Sequence, residues 1–250
     1  MRRAIVVVLG VILLVLLTLW WRSGHVNAPS TQQSTSTPQP SEEKTPFDKT
    51  TYSVTDSASL WVIVNKQHPI NPLNYAPSDL RKPQVTLRVP GAPEMQLRNE
   101  AATALETMFA AGETDGMNMQ VSTAYRGYAY QKTLYDGYVA SQGQESADTV
   151  SARPGYSEHQ TGWAVDIRSV PDTCGLEACF GTTPEGKWLA ANAYKHGYHL
   201  RYPLGKEEIT GYNYEPWHFR YIGKDLSKEL HDRQIQTLEE YFNVSGGTAY

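Results

Sequence analysis

The sequence predicts an α+β fold in which helices flank a small, largely antiparallel sheet. Helical periodicity is clearest over 96–112, "QLRNEAATALETMFAAG", where apolar residues recur on one face and Gly112 marks the expected end. Alternation of apolar and polar residues, which is typical of a strand, appears in "MNMQVSTAYR" over 117–126. Because helices and short strands mix without the regular spacing of βαβ units, we do not expect a parallel sheet.

The remaining elements can be assigned in chain order. A second helix is predicted over 128–142, where Gly143 would stop it. A third helix opens with Thr183 as its cap and Pro184 in its first turn. The segments "YHLRYP" and "YEPWHFRYIG" have the pattern of strands, and one terminal helix is predicted over 224–242.

The composition indicates a globular chain with one well-buried domain. Of its 250 residues, 40% are apolar and 19% are charged, and the formal net charge is -4. A chain with this charge and no Lys/Arg run beyond the N-terminal pair is poorly suited to a polyanion, so no nucleic-acid partner is predicted. No protein partner can be inferred. We assign the working domain to 51–244 and a short tail to 245–250.

An apolar run opens the chain. "MRR" precedes "AIVVVLGVILLVLLTLWW", in which Thr18 is the one clearly polar residue. The run predicts a membrane anchor over 1–22 with its N-terminus in the cytoplasm, because it is just long enough to span a bilayer and follows Arg2 and Arg3. The alternative is a signal peptide cleaved after "VNA", just before Pro29. The domain would accordingly be held outside the cytoplasm by a single membrane pass, or secreted.

The segment that follows the apolar run, 23–50, consists mainly of Ser, Thr, Gln and Pro with a few charges. It lacks the apolar periodicity that is needed to bury one face, so it is predicted to be a disordered stalk. A flexible tether of this length has a root-mean-square reach of roughly 30 Å. We therefore expect the domain to stay close to the outer face of the membrane.

Two cysteines, Cys174 and Cys179, lie in "PDTCGLEACFG" with four residues between them. Exported proteins fold where disulfides can form, and the pair is close enough to close a short loop. Two free thiols are the alternative. Two cysteines with no histidine beside them in the sequence do not predict a metal site.

Two polar residues interrupt the apolar stretch "SEHQTGWAVDI", 157–167. In a strand, Asp166 would share a face with the small Ala164, opposite the bulky apolar side chains. The freedom of Gly162 would let the chain turn and bring His159 back toward that face. A cleft with an imidazole and a carboxylate is therefore expected there.

A second polar interruption occurs in "YEPWHFRYIG". His218 and Arg220 would share one face of that strand. Glu215 precedes Pro216, and a residue before proline is kept out of the helical region, so Glu215 should lie at the bend that leads into the strand.

Together these residues have the composition of a catalytic zinc site. His159, Asp166 and His218 are ligand types that zinc accepts, and a fourth position would remain for water. A nearby glutamate, Glu215, could accept a proton from that water. Taken singly, either histidine is more often a core or surface residue than a ligand.

The motifs resemble those of one family. "SEHQTGWAVD" is similar to the Ser-x-His-x-x-Gly-x-Ala-x-Asp motif of the VanY-type zinc carboxypeptidases, and "EPWH" resembles their Glu-Pro-Trp-His motif. The likeness extends over about 60–224 and includes "STAYRGYAYQ". The resemblance places the chain in the wider group that includes lysostaphin-like endopeptidases and hedgehog domains. It implies one Zn2+ per chain and action on peptidoglycan stem peptides.

The resemblance also implies roles for individual residues. Glu215 would move the proton from the attacking water to the leaving amine, and Arg126 would hold a substrate oxygen with its planar guanidinium. His159, Asp166 and His218 would bind the zinc. Gln131 and Ser157 would contact the substrate.

The predicted activity is that of a D,D-carboxypeptidase, which removes the terminal D-Ala of stem peptides. A membrane-proximal domain would meet newly exported pentapeptide, which favours this substrate. L,D-carboxypeptidase action on tetrapeptide stems is the alternative within the family. A zinc-bearing module that binds wall peptide without cutting it is an alternative of another class, and Glu215 argues against it because a binding module needs no base.

Overall fold

The longest helix of the domain, α1 (Asn99–Thr114), buries one face against the sheet and ends two residues beyond the predicted stop at Gly112. Gly112 lies inside the helix, where it packs beside the flexible Met119 side chain. The chain leaves the helix through Gly116, whose φ of 80° is left-handed. These observations come from a computed structural model that describes residues 46–250.

Six short strands form two antiparallel sheets in this part of the chain. The strands are β1 (Leu80–Arg81), β2 (Leu97–Arg98), β3 (Met119–Thr123), β4 (Ala164–Ser169), β5 (Tyr198–Leu200) and β6 (His218–Tyr221). Strands β1 and β2 pair as a ribbon, and the other four have the order β3-β4-β6-β5 with every neighbour antiparallel. The predicted α+β class is therefore confirmed.

Helices and single 3-10 turns surround the four-stranded sheet. After α1, the helices are α2 (Tyr128–Gln142), α3 (Gln144–Val150), α4 (Pro184–Asn192), α5 (Glu207–Thr210), α6 (Lys224–Asp232) and α7 (Leu238–Phe242). The 3-10 turns are Pro93–Met95, Glu158–Thr161, Ala178–Thr182 and Ala193–His196. The predicted start of α4 is confirmed, because Thr183 Oγ1 accepts a hydrogen bond of 3.0 Å from the Gly186 N–H.

The single terminal helix predicted over 224–242 is wrong. The chain forms α6 and α7 instead, with Gln234 at a φ of 57° between them. Thr237 starts the second helix by accepting a hydrogen bond from the Glu240 N–H at 3.1 Å. The sequence carries the signal, since Thr237 and Glu240 have the spacing of a capping box.

The core lies between α1 and one face of the large sheet. Leu105 and Met108 of α1 belong to the same buried apolar cluster as Val165 and Ile167 of β4 and Phe219 of β6. Since successive strand residues point to opposite faces, the residues that alternate with this apolar set face away from the core. That other face carries the candidate site.

The compact unit begins at Pro46, within the segment predicted to be stalk. The Phe47 ring lies 5.6 Å from that of Trp61, and Lys49 Nζ donates a 2.6 Å hydrogen bond to the Tyr241 carbonyl. Residues 46–50 therefore contact the domain. The predicted anchor and the rest of the stalk lie outside the described residues. Within 46–250, no helix combines the length and the apolarity that crossing a bilayer requires.

Candidate metal centre

Pairing of β4 with β6 sets Asp166 directly opposite His218. The neighbours of Asp166 along β4, Val165 and Ile167, are completely buried in the core, so the alternation of the strand turns the Asp166 carboxylate to the other face. The Asp166 Oδ1 atom lies 3.5 Å from His218 Nδ1. Strand register thus brings together two residues that are 52 positions apart in the sequence.

A reversal of the chain brings in the third residue. His159 lies in the Glu158–Thr161 turn, which ends at Gly162 with a left-handed φ of 73°. The reversal points His159 Nε2 at Asp166 Oδ1, 3.3 Å away. The other ring nitrogen, Nδ1, lies 2.6 Å from the Ala124 carbonyl oxygen and donates to it. The turn predicted at Gly162 is therefore present.

The three side chains form a buried donor set. His159, Asp166 and His218 each offer one ligand atom, and these atoms all lie within 4.8 Å of one another. Asp166 Oδ1 faces both imidazoles and has no hydrogen-bond partner among the described residues. A buried, unsatisfied carboxylate oxygen is costly unless a cation compensates it. Two imidazoles and one carboxylate fit zinc, and this donor set leaves a coordination position open.

Glu215 stands beside this set at the bend before β6. Its N–H donates to the Tyr202 carbonyl at 3.0 Å, and its Oε2 lies 3.3 Å from His218 Nδ1. Burial raises the pKa of Glu215, although the neighbouring His218 opposes the shift. A carboxylate with a raised pKa at this position is suited to accept and release a proton.

The two histidines have opposite electrostatic surroundings. Burial lowers the pKa of His159 to about 4, and the nearby Arg126 acts in the same direction. Burial would also lower the pKa of His218, but the carboxylates of Glu158, Glu215 and Asp166 outweigh it and raise that pKa to about 9. The surroundings therefore disfavour the charged form of His159 and favour that of His218, and a metal ion at either imidazole must compete with protons.

Arg126 borders the donor set. Its Nη1 donates to Asp166 Oδ2 at 3.3 Å and to Thr123 Oγ1 at 3.0 Å, and its Nε donates to Gln131 Oε1 at 3.0 Å. These contacts fix the guanidinium of Arg126 beside the cleft. The other terminal nitrogen, Nη2 of Arg126, makes none of these hydrogen bonds. The position suits the anion clamp that the resemblance implies for Arg126, and that role stays a prediction.

Comparison with known proteins identifies the family. Residues 94–224 match the model of the VanY family, described as D-alanyl-D-alanine carboxypeptidase. The chain is also 44% identical over 191 residues to the Bacillus subtilis (strain 168) protein YodJ, across 76% of this chain and 69% of that protein. The chain belongs to the VanY family.

Solved structures place the fold among VanY-like enzymes. The LdcB LD-carboxypeptidase is 43% identical, with a TM-score of 0.70 over 76% of this chain and 88% of that one. The VanY D,D-pentapeptidase from a VanB-type resistance cassette, solved with Zn(II), is 30% identical with a TM-score of 0.61, over 75% of this chain and all of that one. The VanY fold thus occurs in enzymes of both specificities.

Two other residues predicted from the VanY motifs, Gln131 and Ser157, are buried. Gln131 is completely buried behind Arg126, and its Nε2 donates to the Ala152 carbonyl at 2.8 Å and to Ser151 Oγ at 3.3 Å. Gln131 therefore supports Arg126 from the protein side, and its contact with substrate stays a prediction. Ser157 is also buried, but it lines a small cavity of about 40 Å³ next to the donor set.

The cleft in front of the donor set has a volume of about 440 Å³. One wall comes from α2, with Leu134 and Tyr138. Another part of the wall includes residues of the loop that a disulfide between Cys174 and Cys179 closes. The loop residues that line the cleft are Leu176, Glu177 and Ala178.

Sequence reasoning missed Glu158, which lies between two predicted site residues in the motif "SEHQ". Its Oε2 is 3.5 Å from His218 Nε2, and its side chain is fully buried. Arg201 and Arg220 both bond to its other oxygen, Oε1. The sequence did contain a signal for Glu158. A charged glutamate in an otherwise apolar segment requires a buried partner of opposite charge.

Proposed function

We propose that this VanY-family chain is a zinc-dependent carboxypeptidase that removes the C-terminal D-alanine from peptidoglycan stem peptides. The observation that supports this proposal most directly is the convergence of His159, Asp166 and His218 with Glu215 beside them. A binding module needs the first three residues at most. The fourth, with its raised pKa, has a use in hydrolysis.

The four residues divide the chemistry between them. Zinc held by His159, Asp166 and His218 would polarise the scissile carbonyl and lower the pKa of a water molecule. Glu215 accepts the proton of the attacking water on Oε2 and passes it to the nitrogen of the leaving D-alanine. Its buried position favours the protonated form between these two transfers.

Arg126 gives the site its preference for a chain end. Its guanidinium lies next to Asp166 at the edge of the cleft and adds positive charge there. The free carboxylate of a stem peptide would bind to it and present the last peptide bond. An endopeptidase has no need for a cation at this position.

Several observations bear on which stem peptide is cut. The predicted anchor and stalk would hold the domain near newly exported pentapeptide, which favours D,D-activity. The likeness to LdcB, at 43% identity and a TM-score of 0.70, favours L,D-activity on tetrapeptide. The match to the D-alanyl-D-alanine carboxypeptidase model and the likeness to the VanY D,D-pentapeptidase concern the same domain and favour pentapeptide, so defined peptides must decide between the two substrates.

Defined stem peptides test the proposal. The purified full-length chain, loaded with zinc, is incubated with pentapeptide or tetrapeptide, and mass spectrometry follows the loss of one alanine. Loss from one peptide alone assigns the specificity. If neither peptide is shortened while both bind and zinc is present, the non-catalytic module is the correct class.

We also propose that the N-terminal segment anchors the protein in the cell membrane with the domain outside the cytoplasm. Fractionation of cells tests this, because an anchored chain is found with the membranes at full length. A chain that begins near Pro29 and is found in the medium would instead identify the segment as a signal peptide. That result would remove the argument from location for pentapeptide and leave the metal centre unaffected.

A further inference from the structure

Four charged residues form a buried cluster behind the metal centre. Arg201 Nε donates to Glu158 Oε1 at 2.8 Å, and Arg220 Nη1 donates to the same oxygen at 3.0 Å. Arg201 also makes two hydrogen bonds to Glu239, at 2.6 and 2.9 Å. No member is more than 2% exposed. With two positive and two negative groups, the cluster has no formal net charge.

One oxygen of this cluster is directed at the metal centre. Glu158 Oε2 has no hydrogen-bond partner among the described residues, and it lies 3.5 Å from His218 Nε2, which has none either. The opposite ring nitrogen, His218 Nδ1, faces Asp166 and Glu215. The imidazole of His218 therefore has one nitrogen toward the buried cluster and the other toward Asp166 and Glu215.

We propose that Glu158 is a positioning residue for the metal centre, holding a proton on His218 Nε2 so that the lone pair of Nδ1 points to the metal. This inference rests on the proposed zinc site. A neutral imidazole has one protonated and one unprotonated nitrogen, and the hydrogen bond at one of them decides which nitrogen can bind a metal. Glu158 Oε2 can accept from Nε2–H, because Arg201 and Arg220 bind the other oxygen and leave Oε2 facing the imidazole.

The two histidines of the centre would then bind through opposite nitrogens. His159 donates from Nδ1 to the Ala124 carbonyl, which leaves Nε2 for the metal. His218 has no backbone carbonyl in the corresponding place and has Glu158 there instead. Because Oε1 is bound by two arginines, the carboxylate cannot turn away from the imidazole without losing both ion pairs.

The substitution Glu158→Gln should reverse the tautomer. Arg201 and Arg220 require an acceptor, so the amide oxygen of the glutamine would face them and its NH2 group would face His218. An NH2 group donates, which favours an unprotonated Nε2 and leaves the proton on Nδ1, where the metal must bind. Zinc affinity should fall about 10- to 100-fold, the usual effect of losing such an outer partner.

Glu239→Gln is the matched control. It removes one carboxylate from the same buried cluster and from the same arginine, but Glu239 is bonded to Arg201 and Asn65 and not to His218. Both variants should unfold at lower temperature than the wild type. Competition with a chelator, measured on the full-length chain, should show weakened zinc binding in Glu158→Gln alone. Equal zinc affinity in all three proteins, or an equal loss in the two variants, would overturn the proposal.

A measurement on the wild type keeps the inference testable if the Glu158 variant does not fold. Histidine labelled with 15N in the zinc-loaded chain reports which ring nitrogen carries hydrogen and which binds metal. We expect His218 to be protonated at Nε2 and His159 at Nδ1. A protonated Nδ1 on His218 would refute the role of Glu158. These readouts do not involve peptide cleavage, so a zinc-loaded protein that cuts no peptide would contradict the proposed function alone.

Discussion

The Asp166 carboxylate lies directly across the β4–β6 pair from His218, with Oδ1 3.5 Å from Nδ1 of the imidazole. The same oxygen is 3.3 Å from His159 Nε2 and has no hydrogen-bond partner in the described part of the chain. One carboxylate oxygen is thus shared by two imidazoles inside the domain. This relationship is the physical basis for placing a cation there.

Removal of either imidazole should abolish stoichiometric zinc binding. We expect wild-type protein to contain about one zinc per chain, and His159→Ala or His218→Ala to retain little, because each variant has one ligand fewer than the three that catalytic zinc sites use. Elemental analysis of the purified proteins measures this. His231→Ala is the control, since His231 is half exposed and stacks on Tyr194 away from the centre. Undiminished zinc in both site variants would refute the ligand assignment.

Glu215→Gln should keep zinc and fold but lose turnover. Glutamine fills the same space and cannot accept the proton of the attacking water, so kcat should fall by about 10²- to 10⁴-fold with little change in KM. Alanine release from the preferred stem peptide gives the rate. Glu208→Gln, at an exposed position, should behave as the wild type. Unchanged turnover in Glu215→Gln would rule out its role as the base.

Arg126→Gln should weaken the preference for a free C-terminus. The wild type should cleave a stem peptide with a free carboxylate far better than the same peptide with a C-terminal amide, because the guanidinium binds the carboxylate. In the variant, kcat/KM for the free peptide should fall about 10²- to 10³-fold, while kcat/KM for the amide should change much less.

Arg233→Gln at the exposed end of α6 is the control for the Arg126 variant. Zinc content must be measured too, because Arg126 also contacts Asp166. Equal losses for both peptides would contradict the clamp.

The Arg201–Glu239 pair should make stability sensitive to acid. Burial would raise the pKa of Glu239, but the charge and hydrogen bonds of Arg201 outweigh it and lower that pKa from 4.5. A carboxylate whose pKa is lower in the folded chain stabilises the fold above its unfolded pKa, and this contribution is lost as the pH falls through its folded pKa.

The variant Glu239→Gln isolates this contribution because glutamine does not titrate. We expect it to be about 3 kcal/mol less stable than the wild type near neutral pH, since one arginine loses its buried partner. The difference should be constant above about pH 6 and should shrink below about pH 4. Urea unfolding of both proteins over this range measures it. A difference that does not change with pH would show that Glu239 is not ionised in the fold.

The sequence was sufficient for features that depend on local pattern. Alternation along "GWAVDI" predicted which face Asp166 occupies, and Gly162 predicted the reversal that returns His159 to that face. The Pro216 constraint predicted the position of Glu215. In each case the cause lies within a few residues of the effect, so one chain segment carries the whole signal.

The features that were missed depend on distant residues or on competing local signals. Glu158 bonds to Arg201 and Arg220, which are 43 and 62 positions away, and no local pattern encodes such a pairing. The division of the terminal helix was missed although the five-residue step from Leu230 to Ile235 interrupts the helical spacing and Thr237 caps a new helix there. Gly112 was assigned as a stop, but a single glycine is tolerated within a helix, and this one continues to Thr114.

The disulfide loop should control substrate binding without affecting the metal. Cys174 and Cys179 close a loop whose residues Leu176 and Glu177 line the cleft. Cross-linking a loop this short restricts the unfolded chain by about 2 kcal/mol and holds the cleft wall in one position. In the double variant Cys174→Ser/Cys179→Ser, the loop that forms the cleft wall has more conformational freedom, and substrate binding must order it again. Because this ordering costs free energy, KM for the stem peptide should rise several-fold. Zinc content should be unchanged, because no ligand belongs to the loop.

A reducing agent supplies the matched control for this prediction. It should raise KM in the wild type to the value of the double variant and have no effect on the variant itself. The two results together separate the loss of the cross-link from the loss of the cysteine side chains. If reduction leaves KM unchanged while the variant shows a higher KM, the serine side chains and not the closed loop would be responsible. If neither treatment changes KM, the loop would be a passive part of the cleft wall, and α2 with Tyr138 would be the wall that positions the peptide.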